Sequence, residues 1–121
     1  MKVRCVRILD EKTNGELLKS SWITVDRIYH VLELYFESKK CVRFRIVGDD
    51  GVTPAYHNAD QFELVSSIVP PNWIAHFEKG NFSLSPAQWV ANGFWESYFD
   101  GNSRAREIFN MEVDKIIQYD P

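Results

Sequence analysis

Through the first half of the chain, apolar and polar side chains change places every second residue, the period of a strand with one buried face. Lys2–Leu9, rich in Val and Ile, is the first such run. Asp10–Ser21 is polar and carries Asn14-Gly15, a pair that tolerates positive φ and so predicts a turn. Ile28–Phe36 alternates next, with Ile28, His30, Leu32, Leu34 and Phe36 on one face and Tyr29, Val31, Glu33 and Tyr35 on the other. Glu37-Ser38-Lys39-Lys40 predicts a turn, and Cys41–Val47 the returning strand, in which Val42, Phe44 and Ile46 oppose Arg43 and Arg45. Gly48-Asp49-Asp50-Gly51 predicts a tight turn whose glycines permit positive φ. Short strands around Thr53–His57 and Phe62–Ser66 follow, separated by Asn58-Ala59-Asp60.

Pro70-Pro71 marks a bend between two apolar stretches. Trp73–Phe77 and Phe82–Leu84, joined by Glu78-Lys79-Gly80-Asn81, predict a second hairpin. There the period changes. Ser85-Pro86 is a helix-start signal, Ser as N-cap and Pro at the first helical position, for a short helix to about Ala91 that Asn92-Gly93 ends. Phe94, Trp95, Tyr98 and Phe99 stand at one face of a further helical turn, which Asp100-Gly101 breaks. Asn102 or Ser103 caps a last helix through about Gln118, with Ala105, Ile108, Phe109, Val113, Ile116 and Ile117 as its apolar stripe.

Short strands with tight turns leave no room for crossover helices, so the pairing expected is antiparallel. The expected fold is α+β: a small antiparallel SH3-like barrel or bent sheet, then a β-hairpin and C-terminal helices packed on it. The chain is expected to form a single domain over residues 1–121. Residues 1–69 make its β-rich, barrel-like part, and residues 70–121 its hairpin and helices.

Composition suits a chain that buries its own core, with 45% hydrophobic and 14% aromatic residues. No segment approaches the ~20 apolar residues of a membrane-spanning helix, and the N-terminus alternates like a strand rather than a secretory leader. Cys5 and Cys41 lie in apolar strand-like runs, outside any CxxC or Cys/His cluster, and are expected to be reduced thiols in a cytoplasmic protein. The formal net charge of −3 is unevenly distributed. Residues 1–45 hold ten Lys/Arg against six Asp/Glu, whereas residues 46–103 set Lys79 alone against Asp49, Asp50, Asp60, Glu63, Glu78, Glu96 and Asp100. Such an acidic middle attracts a basic protein and repels nucleic acid, if the fold gathers it onto one surface.

No catalytic constellation is legible. His30, His57 and His76 form no HxxxH or HExxH pattern, and there is no GxSxG or P-loop. Asp49-Asp50 lacks the alternating acids and closing Glu of a calcium loop, so neither a metal nor a cofactor is expected. Nucleic-acid binding through Arg43 and Arg45, with Lys2, Arg4, Arg7 and Lys40 nearby, is the competing picture. The acidic balance argues against it, and pairing of these arginines with Glu33 or Glu37 on a solvated strand face accounts for them more simply.

Two stretches carry a resemblance. Ile23-Thr24-Val25, Tyr29, Val31-Leu32 and Phe44–Gly51, through Phe62-Glu63-Leu64-Val65, resemble SH3-like barrel modules of bacterial and phage proteins. With Pro71-x-Trp73 followed by Ser85-Pro86-x-x-Trp89-x-x-x-Gly93-Phe94-Trp95-Glu96-x-Tyr98-Phe99-Asp100, they cover most of residues 1–117 and together resemble a family of small bacterial proteins, the immunity proteins of polymorphic-toxin and contact-dependent growth-inhibition systems. The resemblance implies a non-catalytic protein that binds and neutralises a cognate toxin domain, a basic nuclease being the expected kind. It implies no nucleic-acid or membrane partner. The residues expected to face the toxin are Asp49, Asp50, Asp60, Glu63, Glu96 and Asp100, with Trp95 and Tyr98 as anchors or as core. The alternative is an SH3-like adaptor, of phage origin, that binds a peptide or a nucleic acid.

Overall fold

The computed structural model describes residues 1–121. Ten strands precede two helices: β1 (Lys2–Cys5), β2 (Ile8–Leu9), β3 (Glu16–Leu17), β4 (Ile28–His30), β5 (Glu33–Phe36), β6 (Val42–Val47), β7 (Pro54–Asn58), β8 (Phe62–Ser66), β9 (Trp73–Glu78), β10 (Asn81–Pro86), α1 (Phe94–Phe99) and α2 (Ser103–Tyr119). Every pairing is antiparallel. The fold is α+β, as the pattern predicts, but the strands do not close into a barrel. They form a three-stranded sheet in the order β4-β1-β8, a five-stranded sheet in the order β7-β6-β5-β10-β9, and a small β2-β3 ribbon.

Two expected strands are broken, each where the backbone changes partners. In Ile28–Phe36 the Val31 amide donates to the Met1 carbonyl (3.0 Å) and the Leu32 amide to the Arg45 carbonyl (2.9 Å), so the chain leaves one sheet and enters the other. Val31, Leu32 and Glu33 are buried in succession, which breaks the alternation, while Ile28 and Phe36 end up exposed. In Lys2–Leu9 the amides of Val6 and Arg7 both donate to the Gln61 carbonyl, and that kink separates β1 from β2.

The β9–β10 hairpin forms with longer strands than expected. Asn81 pairs with Glu78, leaving a two-residue loop of Lys79 and Gly80 with φ of 52° and 83°. Positive φ at both positions matches the twist of the flanking strands. β10 then pairs with β5, so the hairpin completes the sheet that the first half begins. The expected helix at Ser85-Pro86 is only a single 3-10 turn, Ala87–Val90. Ser85 is still in register with Ile74 and fully buried, so it cannot act as the cap.

α1 ends in a Schellman arrangement, Gly101 N–H to the Tyr98 carbonyl and Asn102 N–H to that of Ser97, and Asn102 then caps α2 through a 2.9 Å bond from the Ala105 amide. The far end of α2 is fastened to the three-stranded sheet. The Asp120 carboxylate meets the Met1 ammonium (2.9 Å) and accepts from Ser66 Oγ (2.6 Å), and its carbonyl meets His30 Nε2 (2.8 Å). One hydrophobic cluster joins the sheets to the helices, from Val3, Cys5 and Ile46 to Trp89, Phe109 and Ile116.

Candidate protein-binding face

The turn after β6 is built around Asp49. Its carboxylate accepts from Thr24 Oγ1 (2.7 Å), Tyr29 Oη (2.7 Å) and Arg27 Nη1 (3.0 Å), and its amide donates to the Trp22 carbonyl (2.8 Å). Desolvation works to raise its pKa, but the Thr24 and Tyr29 hydrogen bonds and the Arg27 charge outweigh it and hold the carboxyl below the usual range. Burial and the bond to Asp49 push the Tyr29 phenol up to about 12. Asp49 therefore joins the turn to the Trp22–Arg27 loop, and its hydrogen-bonding capacity is spent inside the protein. Gly48 matters for a different reason from the one its turn suggests. A Cβ there would collide with the Trp22 carbonyl oxygen, so the close approach of two backbones requires glycine.

Asp50, one residue on, is exposed, and its Oδ1 accepts from the amides of Val52 and Thr53 (both 3.0 Å). The Thr53 bonds and the Val52 bond lower its pKa, so it is ionised at neutral pH. The Tyr98 phenol is raised mainly by burial, with Arg106 opposing, and the Asp50 charge contributes to the rise.

On α1, Glu96 and Asp100 are exposed and four residues apart, hence on one side of the helix. Neither is in an ion pair. Trp95 and Tyr98, expected as anchors or as core, both pack inward. Tyr98 is buried, with its ring 4.8 Å from that of Phe109. Trp95 is half-buried against Trp89, Phe94, Tyr98, Phe99 and Phe109. The exposed ring of the helix is Phe99, 54% accessible, and on the turn after β6 Val52 is 63% accessible. Both were missed in the sequence. The spacing of the four rings defines a helical face wider than one core contact can cover, and Phe99 is its outer edge.

Asp60 and Glu63 belong with β1 instead. The Asp60 carbonyl accepts from Arg7 Nη1, and Glu63 stands opposite Arg4 in the β1–β8 ladder. Both are exposed. The fold thus spreads the expected acidic set over the turn after β6 (Asp49, Asp50), α1 and its end (Glu96, Asp100) and the β8 region (Asp60, Glu63).

The arginine pair on β6 is also divided. Arg43 is exposed, but Arg45 is buried, donating to Glu33 Oε1 (3.0 Å) and to the Pro54 carbonyl (3.2 Å). Its guanidinium lies 4.0 Å from the Tyr56 ring centre and 3.8 Å from that of Trp95. The pairing with Glu33 is as expected, but the site is interior rather than solvated, and a two-arginine nucleic-acid face is not formed.

Cys5 and Cys41 are free thiols. No three His, Cys, Asp or Glu side chains converge at metal-binding distance. No helix is long and apolar enough to cross a membrane. No family model, curated protein or solved structure matches the chain.

Proposed function

We propose that the protein is a binding protein without catalytic activity, and that it acts as a cytoplasmic immunity protein by occupying a basic toxin domain. The observation that carries this reading is the outer side of α1, where the unpaired carboxylates of Glu96 and Asp100 accompany exposed Phe99. Carboxylates arranged in this way accelerate encounter with a basic partner, and an apolar ring among them supplies contact energy once water is excluded. The resemblance of the two stretches, Ile23–Val65 and Pro71–Asp100, to immunity proteins supplies the toxin as the partner class.

The test is co-expression with the product of the gene immediately upstream, followed by co-purification and a survival assay. The reading expects protection and a stable complex. Glu96→Lys with Asp100→Lys is expected to slow association by about tenfold at low salt, with the difference shrinking as salt is added. Absence of both complex and protection overturns the immunity role. Unchanged association of the charge-reversed protein overturns the choice of surface.

A further inference from the structure

A second surface lies away from Glu96 and Asp100. A groove of about 900 Å³ separates the β2–β3 ribbon from β7. Leu9, Leu17 and Trp22 line one side, and Arg43, Tyr56 and His57 the other.

β7 is an outer strand of the five-stranded sheet, bonded only to β6. The Arg45 carbonyl is used on the β5 side, by the Leu32 amide, so the main-chain groups of Phe44 and Ile46 are the ones that face β7. Their partners His57 and Ala55 take the ladder bonds, and Pro54, Tyr56 and Asn58 turn outward. Proline at 54 agrees, because an outward position needs no N–H. The Asn58 carbonyl accepts from Gln61 Nε2 (3.3 Å). The Tyr56 amide and carbonyl are left open along the groove.

The side chains add chemistry to that open edge. Arg43 projects from the same face as Tyr56 and Asn58 and enters no ion pair, whereas the neighbouring Lys40 is held by Glu37 (3.2 Å). On the opposite face, His57 Nε2 is shut off from solvent and has no hydrogen-bond partner. Of the groove's two carboxylates, Asp10 is engaged by the amides of Lys12 (2.8 Å) and Thr13 (2.9 Å). An unpaired cation on one face, an unpartnered imidazole on the other and a bare strand edge between them match an extended chain with alternating side chains.

We propose that this groove receives an extended peptide segment of a protein partner. The segment adds to β7 as a further strand, placing a carboxylate side chain on Arg43 and hydroxyl or apolar side chains toward His57, Leu9 and Leu17. Main-chain bonds to Tyr56 provide sequence-independent affinity, and Arg43 provides the preference for an acid. This inference is independent of the α1 face, since the two surfaces use different residues.

The probe is the capped pentapeptide Ac-Val-Glu-Thr-Glu-Val-NH2, titrated into the full chain and followed by backbone amide NMR. Shifts are expected at Tyr56, His57, Arg43 and the β2–β3 ribbon, with slower exchange of the Tyr56 amide. Replacing both Glu residues of the peptide by Gln is expected to weaken binding about tenfold against the natural protein and not at all against Arg43→Gln. Arg43 is exposed, so this variant keeps the fold. Methylating alternate backbone nitrogens of the peptide is expected to abolish binding in one phase and spare it in the other. Three results overturn the proposal: no shifts in the groove, a Glu-over-Gln preference that survives in Arg43→Gln, or equal loss from both methylation phases.

Discussion

Glu33 and Arg45 face each other across the β5–β6 ladder and form an ion pair at 3.0 Å, with side chains only 5% and 7% exposed. The rest of the site satisfies them. Tyr56 Oη donates to the second Glu33 oxygen, the Pro54 carbonyl accepts from Arg45, and Tyr56 and Trp95 cover the guanidinium. Desolvation and pairing nearly cancel in such a site, but removing one partner strands a buried charge. Arg45→Met is therefore expected to cost about 3–5 kcal/mol in urea unfolding. The double variant Glu33→Leu with Arg45→Met should cost much less than the two single variants added together.

How much of this was legible depended on how local its cause is. The β5–β6 and β9–β10 hairpins and α2 follow from alternation, turn residues and a cap, all within a few positions of one another. The break at Val31-Leu32 does not, because it exists only once the Met1 and Arg45 carbonyls are in place to receive successive amides. The burial of Arg45 was hidden for the same reason. Arginine on an alternating strand reads as solvated until Trp95, far along the chain, closes over it. At α1 the ring spacing reveals a helical face but not the rotation of the helix, so it leaves Trp95 and Tyr98 open as anchors or as core, while Phe99 is the exposed ring.

Asp49 and Asp50 are adjacent acids with opposite expected behaviour. Asp49→Ala leaves Tyr29 Oη, Thr24 Oγ1 and Arg27 without their shared acceptor, at about 1.5–3 kcal/mol for bonds to a charged group. The same change should bring the Tyr29 phenol, now at about 12, back toward its ordinary value, visible in an ultraviolet titration. Asp50→Ala removes an exposed turn carboxylate and should disturb stability far less while still slowing association with a basic partner.

Gly48→Ala probes the contact that holds the Trp22–Arg27 loop to the end of β6. The added methyl meets the Trp22 carbonyl, a backbone atom that cannot swing aside, so the loop must shift. A loss of about 1–3 kcal/mol is expected. Gly51 is the contrasting position in the same turn. A Cβ there meets nothing, so any cost of Gly51→Ala comes from its φ of +72° alone.

His57 makes the stability of the fold depend on pH. Burial lowers its pKa and the Glu11 charge acts in the opposite direction, with burial the larger influence. An imidazole whose pKa is depressed in the folded chain is protonated first in the unfolded one, for which the ordinary value is about 6.5. Stability from keeping this ring neutral is therefore complete above about pH 6.5, declines as pH falls toward the folded-state pKa, and then levels off. Urea unfolding of the natural protein and of His57→Gln across this window should show the two curves parallel at neutral pH, with the natural protein losing ground below it. Glu11→Gln removes the opposing charge, lowers the folded-state pKa further and should extend the declining limb to lower pH. If Glu11→Gln instead shortened that limb, the electrostatic link between the β2–β3 ribbon and β7 would have the wrong sign.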